Sequence, residues 1–153
     1  MAATTTLRVY TGTNAGTKSA AQSAIALLPT DSASTTPAAI AKGSNSYEKW
    51  VRVEITNESG TFSDFWVERT GSLPDGTVIR LGMTGTPATP TNATSTVATT
   101  VMAEGRRYIF DIDPDLIVDG YATCYLVLQG QLSADTDSGA IEQQVFTVGY
   151  ATS

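Results

Sequence analysis

The chain reads as an all-β domain: an antiparallel β-sandwich, Ig-like or jelly-roll-like, with an N-terminal arm. Three observations predict this. Twenty-five of the 153 residues are threonine, a β-branched residue that packs well on a pleated surface and loses side-chain freedom in a helix. From Tyr47 onward, apolar and polar residues alternate with period two. These segments recur at intervals of roughly ten to fifteen residues, separated by Gly, Pro and Asn turns, with no alternation of strands and helices.

The length suits one domain, and its texture changes near residue 46. Residues 1–46 are dominated by Ala, Thr, Ser and Gly and read as an arm and linker. Residues 47–153 read as the sandwich. Within the arm, Leu7-Arg8-Val9-Tyr10 is a short alternation that predicts an edge strand. Residues 18–28 fit either an amphipathic helix stopped by Pro29 or a strand over 23–28, because the large apolar residues are only Ile25, Leu27 and Leu28. Residues 30–46 carry too few large side chains to build a core and read as a segment that orders only against a partner.

In the second part, Val51, Val53 and Ile55 share one face of a strand, with Trp50, Arg52, Glu54 and Thr56 on the other. Residues 57–60 form a turn. Residues 62–68 are the next strand, with Phe65 and Val67 opposed to Trp66, and residues 71–76 are a second turn cluster. Residues 77–81 are a third strand. Residues 82–96, with two prolines and no large apolar residue after Met83, read as a long exposed loop. Strands follow over 97–102 and 107–112, the latter with Tyr108, Phe110 and Ile112 on one face. Residues 121–128 form the most apolar strand, expected to be central, and 141–150 the closing strand.

The charge is uneven. Residues 1–100 carry seven acids and seven bases, whereas 101–153 carry eight acids against Arg106 and Arg107 alone, which gives the whole net charge of −6. Phosphate backbones need Lys and Arg, so an acidic half argues against a nucleic-acid partner. No apolar run reaches the roughly 20 residues of a membrane helix, and the N-terminus does not read as a secretory signal.

The absence of histidine removes the usual general base and the commonest metal ligand. The single cysteine, Cys124, allows neither an internal disulfide nor a cysteine metal site, and reads as a small buried apolar residue. Asp111, Asp113 and Asp115, followed by Asp119, alternate as some calcium loops begin. Pro114 and Leu116 then stand where such a loop needs flexibility, and Ala122 stands where it needs Glu. The cluster therefore reads as a solvated acidic turn, with Asp111, Asp113 and Asp115 as weak calcium candidates. No carboxylate pair is singled out for glycoside chemistry, and no serine has a base to activate it beyond Lys18 beside Ser19. Trp50 and Trp66 are the candidate binding residues. Exposed on a sheet face they would be aromatic contacts for protein or sugar; otherwise Trp50 fills the rim of the sandwich or a second layer.

In overall character the chain resembles structural proteins of tailed-bacteriophage virions, and more narrowly the small decoration or cement proteins of phage heads. The arm-like stretch 2–46, the β-domain 47–153 and the loop 83–96 carry the resemblance, without any diagnostic motif. It implies a non-enzymatic protein made in the host cytoplasm and located on the capsid surface of the virion. The implied partners are the major capsid protein and further copies of itself, as a trimer, with no cofactor, nucleic acid or membrane. A neck, tail or fibre-associated protein, a carbohydrate- or protein-binding Ig-like module and a minimal carboxylate enzyme are the alternatives.

Overall fold

The computed structural model describes residues 4–22, 24–36, 38–56, 62–71, 73, 75–110, 121–122, 124–134, 139–140 and 145–152. These residues form β1 (Thr4–Thr11), β2 (Thr17–Lys18), β3 (Ala39–Ile40), β4 (Lys49–Thr56), β5 (Phe62–Thr70), β6 (Thr77–Thr84), β7 (Thr100–Val101), β8 (Arg107–Phe110), β9 (Tyr121–Ala122), β10 (Tyr125–Leu132), β11 (Gly139–Ala140) and β12 (Val145–Thr152). One 3-10 turn, Thr13–Ala15, follows β1, and no α-helix occurs among the described residues. Every pairing is antiparallel. The chain is all-β, with its sheets arranged as a sandwich.

The large sheet runs β2-β1-β4-β10-β6-β7, with β9 also pairing with β4; a second sheet runs β12-β5-β8, and β3 pairs with β11. As the apolar content of 121–128 predicts, β10 is central, between β4 and β6. The period-two alternation of β4 survives intact: Val51 and Val53 are buried in the main core. They meet Val9 of β1, Ile79 and Leu81 of β6, Leu126 and Leu128 of β10, and Phe65 and Val67 from the second sheet. Phe65, Val67, Ile79 and Leu128 have no solvent exposure at all. Each such side chain contributes about 1.5–3 kcal/mol through removal from water.

The other face of the large sheet is also covered. Tyr10, Trp50, Tyr125 and Val127, whose parity is opposite to that of the core residues, form a second apolar cluster with Ala15 and Ala98. This is why β10 is buried at seven of its eight positions instead of alternating. The cover is the stretch 85–99 together with the 3-10 turn. At Gly82 the returning chain comes so close that a Cβ would lie 1.8 Å from the Val97 carbonyl oxygen. Only glycine fits there. The 3-10 turn carries positive φ at Asn14 and Ala15, a costly backbone for residues with a Cβ. Donation from the Asn14 N–H to Thr89 Oγ1 at 2.9 Å ties it to the cover.

Three expectations are corrected. Residues 1–46 are not a separate arm. β1 pairs with β4 over Thr4–Tyr10, and Val9, Ile25, Leu27, Leu28 and Ile40 are all buried. Leu7-Val9 does lie near the sheet margin, with only the short β2 beyond it. Among the described residues of 18–28 there is no helix, and 24–28 form no strand either, so both readings of the segment are corrected. The Ser19 and Gln22 N–H groups donate to the Val9 and Leu7 carbonyls, and the Tyr47 N–H donates to Leu28. The segment's backbone bonds to neighbouring parts of the fold, and Ile25, Ala26, Leu27 and Leu28 are buried in succession. The loop after β6 is exposed only in part: 85–89 face solvent, whereas Pro90, Ser95 and Ala98 are buried.

The embedded N-terminal segment has a direct consequence. Loss of Val9, Ile25, Leu27, Leu28 and Ile40 removes about 7–15 kcal/mol of apolar burial, comparable with the ~5–15 kcal/mol total stability of a domain. Deletion of 1–46 is expected to abolish the near-UV circular dichroism signal and the cooperative thermal transition. A truncated chain that melts cooperatively would show that the segment is dispensable.

Candidate functional site

The two tryptophans occupy different environments. Trp50 is 1% exposed, which corrects the reading of it as an exposed contact. It lies on the β4 face opposite the valines, but the stretch 85–99 covers that face. Its ring meets Tyr125 edge-on at 5.4 Å, and Tyr125 meets Tyr10 edge-on at 5.5 Å. Arg52 lies over the Tyr125 ring at 4.4 Å. Trp66 is partly exposed, opposite Ile109 of β8 and Gly149 of β12. The Arg107 guanidinium lies 3.9 Å from its ring centre, so the aromatic face is already occupied by a cation.

Beside Trp50 the fold buries a polar cluster. The Glu48 carboxylate accepts from Trp50 Nε1 at 3.3 Å, the Thr91 N–H at 3.2 Å and Ser95 Oγ at 2.5 Å. Ser95 Oγ in turn accepts from the Ala98 N–H at 2.8 Å and the Val97 N–H at 3.2 Å. Gln129, with no solvent exposure, accepts from the Ser95 N–H at 2.9 Å and donates to the carbonyls of Ala93 at 2.8 Å and Ser46 at 3.1 Å. Ser46 Oγ accepts from the Gly130 N–H at 2.9 Å. Glu48, Ser95 and Gln129 are linked through these bonds, which hold the covering stretch to the sheet.

Several other ionisable side chains are engaged in pairs or hydrogen bonds. Arg8 and Lys18 both pair with Glu54, at 2.5 and 3.2 Å. Burial pushes the Glu54 carboxyl up, but these two hydrogen-bonded cations outweigh it and hold the group below its usual value. Arg80 donates to Gln131 and to the Thr99 carbonyl, and the buried Arg69 donates to Gly71 and Met102 carbonyls. Lys49 has core parity on β4 and is 4% exposed. Its ammonium donates to the Ser32 carbonyl at 2.5 Å, and burial lowers it from 10.5 to about 8 against the opposing pull of Asp31.

A surface feature lies between the two sheets. A groove of about 520 Å³ is lined by Met83 and Val97 on one side and by Tyr108 and Ile109 on the other, with Arg106 and Arg107 at its rim. Met83, Val101 and Ile109 are the large apolar side chains that stay exposed among the described residues, and β7, which carries Val101, borders this groove. Sequence reasoning missed it because Met83 and Ile109 stand on strands far apart in the chain. The one available signal was the isolated Arg106-Arg107 pair in an acidic half.

Asp111, Asp113, Asp115 and Asp119 lie outside the described residues, and no cluster of three or more metal-ligating side chains occurs among the described ones. Cys124 is half-buried and packs against the main core. No helix of the described structure is long and apolar enough to cross a membrane. Comparison with known proteins finds no matching family model, no matching curated protein and no matching solved structure.

Two outcomes follow from the buried groups. Gln129→Leu keeps the volume but leaves the Ser95 N–H and the Ser46 and Ala93 carbonyls without their partner. At about 1–3 kcal/mol for each unsatisfied buried group, urea titration should show a loss of at least about 3 kcal/mol; a loss below about 1 kcal/mol would show that the amide is not the pin. Lys49 makes stability depend on pH. Below about pH 8 it is charged in both folded and unfolded chains, so its burial cost is constant. Between about 8 and 10.5 the folded chain releases this proton first, the unfolded chain binds more protons, and stability rises with pH, by on the order of 3 kcal/mol. Burial of the Tyr10 phenol raises its pKa, so above about pH 10 the unfolded phenol ionises first and opposes the rise. Stability measured from pH 8 to 10 should climb in the natural chain and stay flat in Lys49→Met. Equal slopes in the two proteins would contradict the assignment.

Proposed function

We propose that this chain is a non-enzymatic structural protein of a tailed-phage virion, a decoration or cement protein seated on the outside of the head. The observation that carries the reading is the division of labour between inside and outside. The buried ionisable groups Glu48, Lys49 and Arg69 are engaged in structural hydrogen bonds, and two of the three large apolar side chains exposed among the described residues, Met83 and Ile109, line one groove. That division suits a molecule whose output is contact area. A cement protein covers joints between capsid subunits and resists internal pressure by added burial, without chemistry. The low charged content, 16% of the chain against a usual ~25%, leaves a surface of hydroxyls and small residues that can lie close against a neighbour. The partners on this reading are the major capsid protein and further copies of the chain, as a trimer on the shell.

The test is made on particles. The protein is expected in purified heads at a fixed ratio to the major capsid protein, and heads stripped of it should release their genome at lower temperature or lower osmotic stress. Its absence from purified heads rejects the decoration role; presence only in purified tails or necks moves the protein to the other end of the virion.

A further inference from the structure

The margins of the two sheets are guarded unequally. A strand at the edge of a sheet offers unpaired N–H and C=O groups to any other strand, and proteins blunt such edges with short strands, charge or proline. The large sheet ends in β2 and β7, of two residues each, with Lys18 on β2 and Arg80 opposite Val101 of β7. The small sheet ends on one side in β8, four residues long and opening on Arg107. Its other margin is β12, which runs for eight residues, Val145–Thr152, and among the described residues pairs with β5 alone.

β12 carries none of those devices. From Gln143 to Ser153 the sequence holds no charged residue and no proline. The strand itself is rich in the β-branched and aromatic residues that suit a sheet. Its register against β5 runs unbroken from Val145 to Ala151 and shifts between Ala151 and Thr152, so the regular stretch is centred on Val148. An uncharged edge gives no hold to a charged segment. It suits a strand of its own character, and a second β12 is such a strand. Two antiparallel copies about a twofold axis satisfy both edges at once. With no charge on either strand, no like charges meet across the axis, in a chain whose net charge of −6 otherwise keeps copies apart.

We propose that β12 is the edge through which two copies of the chain meet. β12 of one pairs antiparallel with β12 of the other, with Val148 on the twofold axis, and the two three-stranded sheets run on as one. In that register Phe146 stands opposite Tyr150 of the second copy, and Thr147 opposite its Gly149. Main-chain hydrogen bonds supply the affinity. The contact goes beyond the decoration reading. A twofold joins two copies and closes, so on a shell of trimers it links neighbouring trimers and does not build the trimer itself.

Sedimentation of the purified full chain from about 1 μM to about 1 mM, with amide hydrogen exchange at both ends of that range, tests it. The natural chain should form a dimer that does not weaken as salt rises, because screening relieves the repulsion between acidic copies. Amide protection should rise with concentration across 145–151 and stay constant on β2 and β7. Thr147 is exposed and stands opposite Glu68. Thr147→Lys therefore suits the monomer, yet it sets two lysines near the axis and should weaken the dimer at least about fivefold. Thr100→Lys, the same change on an exposed residue of β7, should leave it unchanged. Near-UV circular dichroism confirms that both variants are folded. The proposal is overturned by a monomer across the whole range, by a dimer indifferent to Thr147→Lys or equally weakened by Thr100→Lys, or by flat protection over 145–151. A chain that is monomeric in solution, with 145–151 protected on purified heads, assigns the edge to a capsid strand; that sinks the contact between copies and leaves the decoration role standing. A dimer in solution with no protein on purified heads does the reverse.

Discussion

The Gln129 side-chain amide is the interaction on which most of this structure depends. It sits on the central strand with no solvent exposure and bonds to Ser46, Ala93 and Ser95, joining three separate stretches of chain. A stretch as poor in large apolar residues as 85–96 cannot hold itself onto a sheet by burial. It is held by hydrogen bonds whose partners have no access to water, where loss of either side leaves a costly orphan. Because that stretch stays in place, Trp50, Tyr125 and Val127 are buried, and the large sheet has a covered face on each side.

This arrangement also accounts for the behaviour of charge. A sheet covered on both faces has few positions where a long charged side chain can reach water, so charges are paired or bonded where they stand. Glu48 accepts three hydrogen bonds without a cation beside it, Lys49 ends on a backbone carbonyl, and Glu54 is shared by two cations. With no histidine in the chain, the buried group whose pKa moves toward neutral is the Lys49 ammonium, lowered to about 8.

Much of the fold was legible in residues 47–153, because period two is a local signal. The parities of Val51/Val53 against Trp50, and of Phe65/Val67 against Trp66, hold in the structure. What was not legible was the second layer. Alternation says that Trp50 faces away from Val51; it does not say whether that side is wet. Residues 85–99 cover it through backbone groups and small side chains, which leave no hydrophobic trace in the sequence. The same blindness separated 1–46 from the rest. Ile25, Leu27 and Leu28 are too few to announce a strand or a helix, yet each finds a place because the core they fill is supplied by strands far away in the chain. The groove at Met83 and Ile109 is likewise a product of topology, since it forms only where β6 and β8, in different sheets, come side by side.

Covering both faces of the large sheet leaves a restricted set of places where this molecule can grow. One face meets the second sheet and the other meets its own loop, so further contact must come at the sheet margins or on the outer face of the small sheet. At one margin β1 is followed by β2, and the Ser19 and Gln22 backbone continues to satisfy it. At the other, β7 spans only Arg80 and Leu81 of β6, and Met83 beyond it is exposed. The groove opens beside that second margin, between β6 and β7 on one side and β8 of the small sheet on the other. An edge in this state is a hazard to a free monomer, which would be expected to blunt it with charge. Arg106 and Arg107, which line the groove, put charge beside it. Charge so placed disfavours indiscriminate strand addition, which is a physical reason for two adjacent arginines to stand in an otherwise acidic half of the chain.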